Sequence, residues 1–173
     1  MSEPLRHAGE VPGLTAQAAG RRLHVSSWTL TACGVWLVGL GLYFIFLRPP
    51  LLPEDPRFMG TTLEQLRIAV PGLEAWLHKV FIVMGGFMAG AGVLAVFVAA
   101  VALPLRSTGS AWALAISGAL TVMLMSATNF ALQSDFRWLL LLPALLWFAG
   151  LAMHVASGAP PAPRRDGGGG GVN

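Results

Sequence analysis

The chain has 173 residues, of which 55% are hydrophobic and only 11% are charged. A soluble domain carries about a quarter charged residues, so this composition excludes an ordinary soluble protein. The formal net charge of +3 comes largely from arginines that flank apolar runs, which is typical of a membrane-orientation signal and not of nucleic-acid binding. The single cysteine, Cys33, excludes an internal disulfide, and no C-x-x-C redox motif occurs.

Four long windows contain no Asp, Glu, Lys or Arg: residues 23–47, 80–105, 107–134 and 138–163. Each exceeds the roughly 20 residues that a helix needs to cross about 30 Å of hydrocarbon. Because lipid offers the backbone no hydrogen-bond partner, spans of this length are expected to be helical. The sequence therefore predicts an all-α protein, an antiparallel bundle of four transmembrane helices within residues 27–157.

Residues 1–26 mix Gly, Ala, Pro and charged residues without periodicity, which favours a flexible tail. The first span is predicted at about residues 28–47, and we expect a retained helix and not a cleaved signal peptide, because a long segment precedes it. Pro49 and Pro50 then end the helix, since proline cannot continue the hydrogen-bond ladder.

The connection that follows, LRPPLLPEDPRFMG, is dense in proline and charge. Pro53 and Pro56 are expected to hold it in an extended conformation. Beyond it, Thr61 or Thr62 is followed three residues later by Glu or Gln, the spacing of a capping box. Apolar residues then recur at i, i+3 and i+7, which predicts a short amphipathic interfacial helix from about Thr61 to Val70.

The other three spans are predicted at about residues 79–103, 111–133 and 138–156. The connector Pro104–Ser110 is short, so the second and third spans are expected to be antiparallel neighbours. Residues 158–173 form a low-complexity segment rich in Gly and Pro, which is expected to be disordered.

Small residues indicate where helices approach each other. The second span contains a G-x-x-x-G motif, and the third contains alanines spaced by four. Small side chains allow close backbone contact in lipid, where no hydrophobic effect drives association. We expect packing within the bundle, with homodimer formation as the alternative. The predicted packing residues are Gly85, Gly86, Gly90, Ala115 and Ala119, and Gly39 and Gly41 of the first span are interpreted in the same way.

The third span also carries polar side chains. Ser126, Asn129 and Gln133 lie at i, i+3 and i+7 and so share one helical face. Polar groups at membrane depth are costly unless they face the bundle or a water-filled cavity. The simpler interpretation is hydrogen bonding between helices, and the functional one is the floor of a polar pocket.

Antiparallel spans put the first connection and the third-to-fourth turn on the same face of the bundle. We expect Arg57 to lie opposite Asp135, or Arg137 opposite one of the two acids at 54 and 55. The simpler interpretation is a salt-bridged lid, and the alternative is a shallow site for a polar head group or a partner's loop. The candidate polar site or lid consists of Arg48, Glu54, Asp55, Arg57, Asn129, Gln133, Asp135 and Arg137.

No established catalytic motif occurs in the sequence: there is no Gly-rich phosphate loop, serine-nucleophile motif or H-E-x-x-H. His78 and His154 are predicted at opposite membrane faces, too far apart to be axial ligands of one haem. No acidic cluster lies in the spans. We therefore predict no catalytic residues, no metal and no cofactor.

The lysines and arginines beside the spans bear on orientation. With a cytoplasmic N-terminus, six would lie inside and five outside. This small excess, together with a double arginine near each terminus, predicts that both termini are cytoplasmic.

Three stretches, LRPPLLPEDPRFMG, VFIVMGGFMAGAG and SATNFALQSDFRWLL, resemble in their arrangement the small four-helix integral membrane proteins of bacteria, loosely of the DoxX type. The resemblance covers about residues 28–157 and implies a multi-pass protein of the bacterial inner membrane, without catalytic residues to carry over.

We expect a small non-enzymatic protein, an accessory subunit or lipid-facing helper. Its partners would be membrane lipids and a larger membrane complex or another copy of the chain, and not nucleic acid. The alternative is a membrane enzyme or binder of a quinone or lipid, with a site between helices near the outer face.

Overall fold

The structure is a computed structural model that describes residues 12–158. Four of its helices are long and apolar enough to cross a membrane: Leu23–Phe46, Leu73–Ala102, Gly109–Ala131 and Arg137–Ser157. No strand occurs among the described residues, so the predicted all-α fold with four spans is confirmed. The chain is therefore a multi-pass helical membrane protein. Of the tails predicted at residues 1–26 and 158–173, residues 1–11 and 159–173 lie outside the described residues.

The helices, in chain order, are α1 (Pro12–Phe46), α2 (Glu54–Phe58), α3 (Leu63–Ala69), α4 (Leu73–Phe97), α5 (Thr108–Gly118), α6 (Leu124–Ala131) and α7 (Arg137–Gly158). A π-helical turn, Val98–Ala102, extends α4, and a second one, Ala119–Met123, joins α5 to α6. The four spans are thus α1, α4 with its π turn, α5 with α6, and α7.

The first helix begins well before the membrane. Residues 12–26, predicted as part of a flexible tail, belong to α1, so that prediction is wrong for this segment. Pro12 stands at the first helical position, where its missing N–H has no partner to lose. Alanine is common in the turns that follow and has the highest helix propensity. Hydropathy alone does not detect a helix that continues outside the lipid.

The first span lies at the centre of the arrangement. It packs along α4 on one side and along α7 on the other, and the third span packs against α7. The third span meets the second only around their connector, where α5 contacts α4 and its π turn. The expected antiparallel pairing of the second and third spans is therefore limited to their connected ends.

A buried tryptophan and a buried serine hold the third and fourth spans together. Trp147 is fully buried, and its Nε1–H donates to the Leu114 carbonyl at 2.9 Å. Gly118 makes room for it, because a Cβ at that position would collide with the indole. Ser126 Oγ donates to the Leu140 carbonyl at 3.1 Å. These bonds satisfy polar groups where lipid could not.

Four glycines join the first and second spans in what we call the glycine seam: Gly34 and Gly41 in α1, Gly85 and Gly92 in α4. A Cβ built on Gly41 would lie 2.5 Å from the Ala89 backbone nitrogen, and one built on Gly92 would lie 2.7 Å from that of Val38. Any side chain here would push the two backbones apart. The predicted packing roles of Gly85 and Gly41 agree with this contact.

Gly86 and Gly90 face away from the seam. Both are exposed, and a Cβ at either position meets no atom within 4 Å. The expectation that they pack within the bundle is therefore wrong for the described chain. At 3.6 residues per turn they lie about 100° and 140° around the helix from Gly85, too far to reach α1. Gly39 of the first span is exposed in the same way.

The two alanines predicted to pack in the third span have different environments. Ala115 is partly buried and packs against the core. Ala119 is exposed, and its predicted packing role is wrong. It begins the π turn Ala119–Met123 and lies beyond the short region in which the third span meets the second.

Candidate functional site

One face of the bundle carries α2, α3 and the turn at residues 132–136, and we call it the lid face. Its first part differs from the prediction, because residues 54–58 form the helical turn α2 and not an extended segment. Pro53 is itself helical, with φ −58° and ψ −28°. Proline fits the start of a helix, where backbone N–H groups have no intrahelical acceptor. Asp55 Oδ2 accepts from the Leu52 N–H at 2.7 Å and stabilises this start.

The end of α2 explains how the chain turns towards the next helix. Gly60 has φ +69°, a conformation that glycine adopts without strain. The Gly60 N–H donates to the Arg57 carbonyl at 3.2 Å, and the Thr61 N–H donates to the Pro56 carbonyl at 3.0 Å. This pair of bonds is a Schellman motif, which satisfies the last carbonyls of a helix.

The predicted capping box of α3 is confirmed. Thr62 Oγ1 accepts from the Gln65 N–H at 3.2 Å, and Gln65 Oε1 accepts from the Thr62 N–H at 3.1 Å. The Arg67 Nε–H donates to Glu74 Oε1 at 2.7 Å and ties α3 to the start of α4. The whole connection is thus held in place from both ends.

A buried carboxylate fastens the connection to the third-to-fourth turn. Glu54 is only 5% exposed, and Ser134 Oγ donates to its Oε1 at 3.0 Å. The same hydroxyl accepts from the Phe136 N–H at 3.2 Å. The carboxylate thus lies near the first residues of α7, where the helix dipole favours negative charge. We call the Glu54–Ser134 contact the latch.

A second contact joins the same two segments at the surface. Arg57 Nη2 lies 3.5 Å from Asp135 Oδ1, which is the pairing expected from the sequence. Their side chains are 60% and 69% exposed, and exposed pairs contribute about 0–1 kcal/mol. The other expected pairing is not formed: within residues 12–158 no acid lies within 4 Å of Arg137. The lid is present, and the buried latch holds it more than the surface pair does.

The predicted polar face of the third span is only partly assembled. Ser126 is buried and bonded to α7, as described above. Asn129 is half-buried, and its Nδ2 donates back to the Met125 carbonyl of its own helix at 2.9 Å. Gln133 is exposed and has φ +51°, because it ends α6 in the left-handed conformation usually taken by glycine. The predicted inward orientation therefore holds for Ser126 and is wrong for Gln133.

Arg48 lies beside the latch in an aromatic setting. Its guanidinium carbon is 3.6 Å from the centroid of the Phe81 ring and 5.0 Å from that of Phe44. The two rings are themselves in edge-to-face contact, with centroids 5.9 Å apart. Both rings belong to spans, so they fix the cation where the first span leaves the lipid.

Sequence reasoning missed three residues of this site: Ser134, Phe44 and Phe81. Ser134 could have been found as a capping residue, because serine before an apolar helix often accepts from a backbone N–H two or three residues on, as it does here from Phe136. Phe44 lies four residues before Arg48 on one helical face, which is also a readable spacing. Phe81 belongs to another span, and its contact depends on a register that the sequence does not specify.

The lid face offers charged and hydrogen-bonding groups of the kind that bind polar ligands. Within residues 12–158 no group of three His, Cys, Asp or Glu side chains is placed to hold a metal ion. The charged groups of the lid face include one latched carboxylate, two surface ion pairs, a stacked guanidinium and the Asp55 carboxylate that accepts from the Leu52 N–H. No protein family, curated protein or solved structure matches this chain.

Proposed function

We propose that this protein is a small non-enzymatic accessory subunit of a bacterial inner-membrane complex and binds its partner through the outward surface of the second span. This surface, which we call the open face, is lined by Val83, Gly86, Phe87, Gly90, Ala91 and Leu94. The observation that carries the proposal is that two glycines of a G-x-x-x-G motif lie on it, and a Cβ added to either meets no atom of residues 12–158 within 4 Å.

Glycine within a helix destabilises it by about 1 kcal/mol relative to alanine. At the glycine seam, close packing offsets this cost, whereas Gly86 and Gly90 have no such compensation in the described chain. A shallow groove of about 570 Å³ runs past them, with Phe87 and Leu94 as exposed walls. A partner helix that enters this groove would make the close backbone contact that stabilises helices in lipid.

The orientation belongs to the same proposal. With both termini in the cytoplasm, the lid face points away from it, in keeping with the slight excess of lysine and arginine on the terminal side. A reporter enzyme fused after residue 160 tests this. Activity on the cytoplasmic side is expected, and activity only outside would reverse the orientation.

The subunit proposal is tested by purification in mild detergent followed by mass spectrometry of co-purifying proteins. Wild type is expected to retain a stoichiometric membrane partner, and Gly90→Leu is expected to lose it while keeping its thermal stability. Gly39→Leu is the matched control, because Gly39 is also exposed in a span with no atom within 4 Å of an added Cβ. Loss of the partner from both variants, or from neither, would contradict the proposal.

The alternative, a membrane enzyme or binder of a quinone or lipid near Asn129 and Gln133, has less support. Gln133 is exposed, and the Asn129 amide is bonded to its own helix. The same purification distinguishes the two, since a bound small molecule without a protein partner would favour the alternative.

A further inference from the structure

Both the backbone and the guanidinium of Arg48 are held in place by neighbouring residues. Its backbone N–H donates to the Tyr43 carbonyl at 2.9 Å, as the Leu47 N–H also does, so Arg48 is held against the end of α1. Its guanidinium then lies over the Phe81 ring and next to Phe44. An unrestrained side chain of this length would extend into water. The side chain is therefore pre-positioned at the depth where the lipid ends.

The stacked guanidinium keeps most of its hydrogen-bonding capacity. An arginine has five N–H donors, and among residues 12–158 only the Pro49 carbonyl accepts from it, at 3.1 Å from Nη1. No carboxylate oxygen lies within 4 Å. Burial lowers the pKa of Arg48 below its usual value, and the nearby Asp55 and Glu54 oppose that shift. A desolvated cation with spare donors is a natural binding group for an anion.

The nearby acids restrict which anion fits. Glu54 is engaged with Ser134, and Asp55 uses one oxygen for the Leu52 N–H. Both carboxyl groups lie close enough to Arg48 to raise its pKa. A purely anionic ligand would be repelled by them, whereas a ligand that pairs a phosphate with an ammonium group complements both signs. Phe46 and Leu47 are 74% and 72% exposed, and they offer an apolar surface for acyl chains next to Arg48.

We propose that Arg48 binds the phosphate of a zwitterionic phospholipid at the lid face, with the headgroup ammonium directed to Asp55. The planar guanidinium matches two phosphate oxygens, and the aromatic pair holds it in the plane that this contact needs. The site lies on another surface from the open face and does not depend on the subunit proposal, so either can fail alone.

Native mass spectrometry of the full chain in mild detergent tests the site. Phosphatidylethanolamine, phosphatidylglycerol and phosphatidylcholine with identical acyl chains are added in turn. Wild type is expected to retain phosphatidylethanolamine most strongly, and Arg48→Gln to retain about tenfold less of it, which corresponds to one charge-assisted hydrogen bond. Arg67→Gln is the matched control, because Arg67 also lies on the lid face but is paired with Glu74. Its retention is expected to equal that of wild type.

Two further variants keep the test decisive. If Arg48→Gln does not fold, Arg48→Lys retains the charge but loses the planar fork, and a clear drop in phosphatidylethanolamine retention is still expected. Asp55→Asn preserves an acceptor for the Leu52 N–H and is expected to shift the preference towards phosphatidylglycerol.

Equal retention by wild type and a folded Arg48 variant would overturn the site. Displacement of the lipid by millimolar inorganic phosphate would overturn the lipid as the source of the anion. An unchanged preference in Asp55→Asn would overturn the mixed-charge recognition.

Discussion

Two faces of the second span use the same residue for opposite purposes. Gly85 and Gly92 lie seven residues apart and pack against the backbone of α1, where Gly34 and Gly41 repeat the same spacing. Gly86 and Gly90 lie four residues apart, and in the part of the chain that the structure describes a Cβ at either position would meet no atom within 4 Å. A glycine pair therefore indicates helix packing when a second helix carries glycines at the same spacing. The seven-residue spacing occurs in both α1 and α4, which pack together. The four-residue spacing of Gly86 and Gly90 faces no glycines of another described helix.

The largest expected effect concerns the glycine seam. Gly85→Leu should destabilise the fold by about 3 kcal/mol or more, because even a Cβ would lie 2.5 Å from the Gly41 carbonyl oxygen. Unfolding in mixed detergent micelles, followed by tryptophan fluorescence, measures this loss. A Gly85→Leu variant as stable as wild type would mean that the two faces do not differ.

The lid offers the same contrast between buried and exposed contacts. Ser134→Ala removes the donor to buried Glu54 and the acceptor of the Phe136 N–H, so we expect a loss of about 1–3 kcal/mol. Glu54→Gln keeps an acceptor oxygen for Ser134 and should lose less. If the order of these two losses were reversed in the same unfolding measurement, the latch would depend on charge and not on the hydrogen bond.

The exposed counterpart of the latch should matter much less. Arg57→Gln removes the surface pair with Asp135, and the expected change in stability is below about 1 kcal/mol. The difference between wild type and variant should shrink further in 0.5 M salt, since exposed charges are screened. A loss as large as that of Ser134→Ala would show that the surface pair fastens the lid as strongly as the latch does.

The smallest loss of stability is expected on the open face. Gly86→Ala should leave the isolated protein at least as stable as wild type, with a gain of up to about 1 kcal/mol, because the added methyl group meets no atom within 4 Å and alanine favours the helix. Gly85→Ala, one residue earlier, is the control and should destabilise clearly. Thermal melts of both variants in one detergent are sufficient. Equal losses would contradict the assignment of the two faces.

The parts of the structure that could be predicted are those that depend on composition and on local signals. Charge-free windows located the four spans, the threonine–glutamine spacing gave the cap of α3, and antiparallel topology placed Arg57 near Asp135. These inferences need no knowledge of how each helix is rotated about its axis.

The predictions that were wrong depend on how each helix is rotated about its axis or on the local backbone conformation. The orientation of Gly86 depends on a rotation of about 100° between adjacent residues, and an apolar span has no polar face to fix that angle. The helical turn at Pro53 and the π turn at Ala119 are likewise local choices between similar backbone conformations. The contact of Arg48 with Phe81 depends on the register between the first and second spans, which the sequence does not specify. Only its contact with Phe44, four residues earlier in the chain, could have been predicted.

The central position of the first span has a consequence for how the protein is made. Membrane proteins enter the bilayer from the N-terminus as the ribosome extends the chain, and early segments fold before late ones are available. The first and second spans can close their hairpin along the glycine seam as soon as both have been inserted. The other side of the first span stays uncovered until α7, the last of the four spans in chain order, has been made. Until α7 has been made, the side of the first span that it will cover is therefore accessible to chaperones and proteases. The fourth span, which follows the turn that the lid fastens to, completes the bundle.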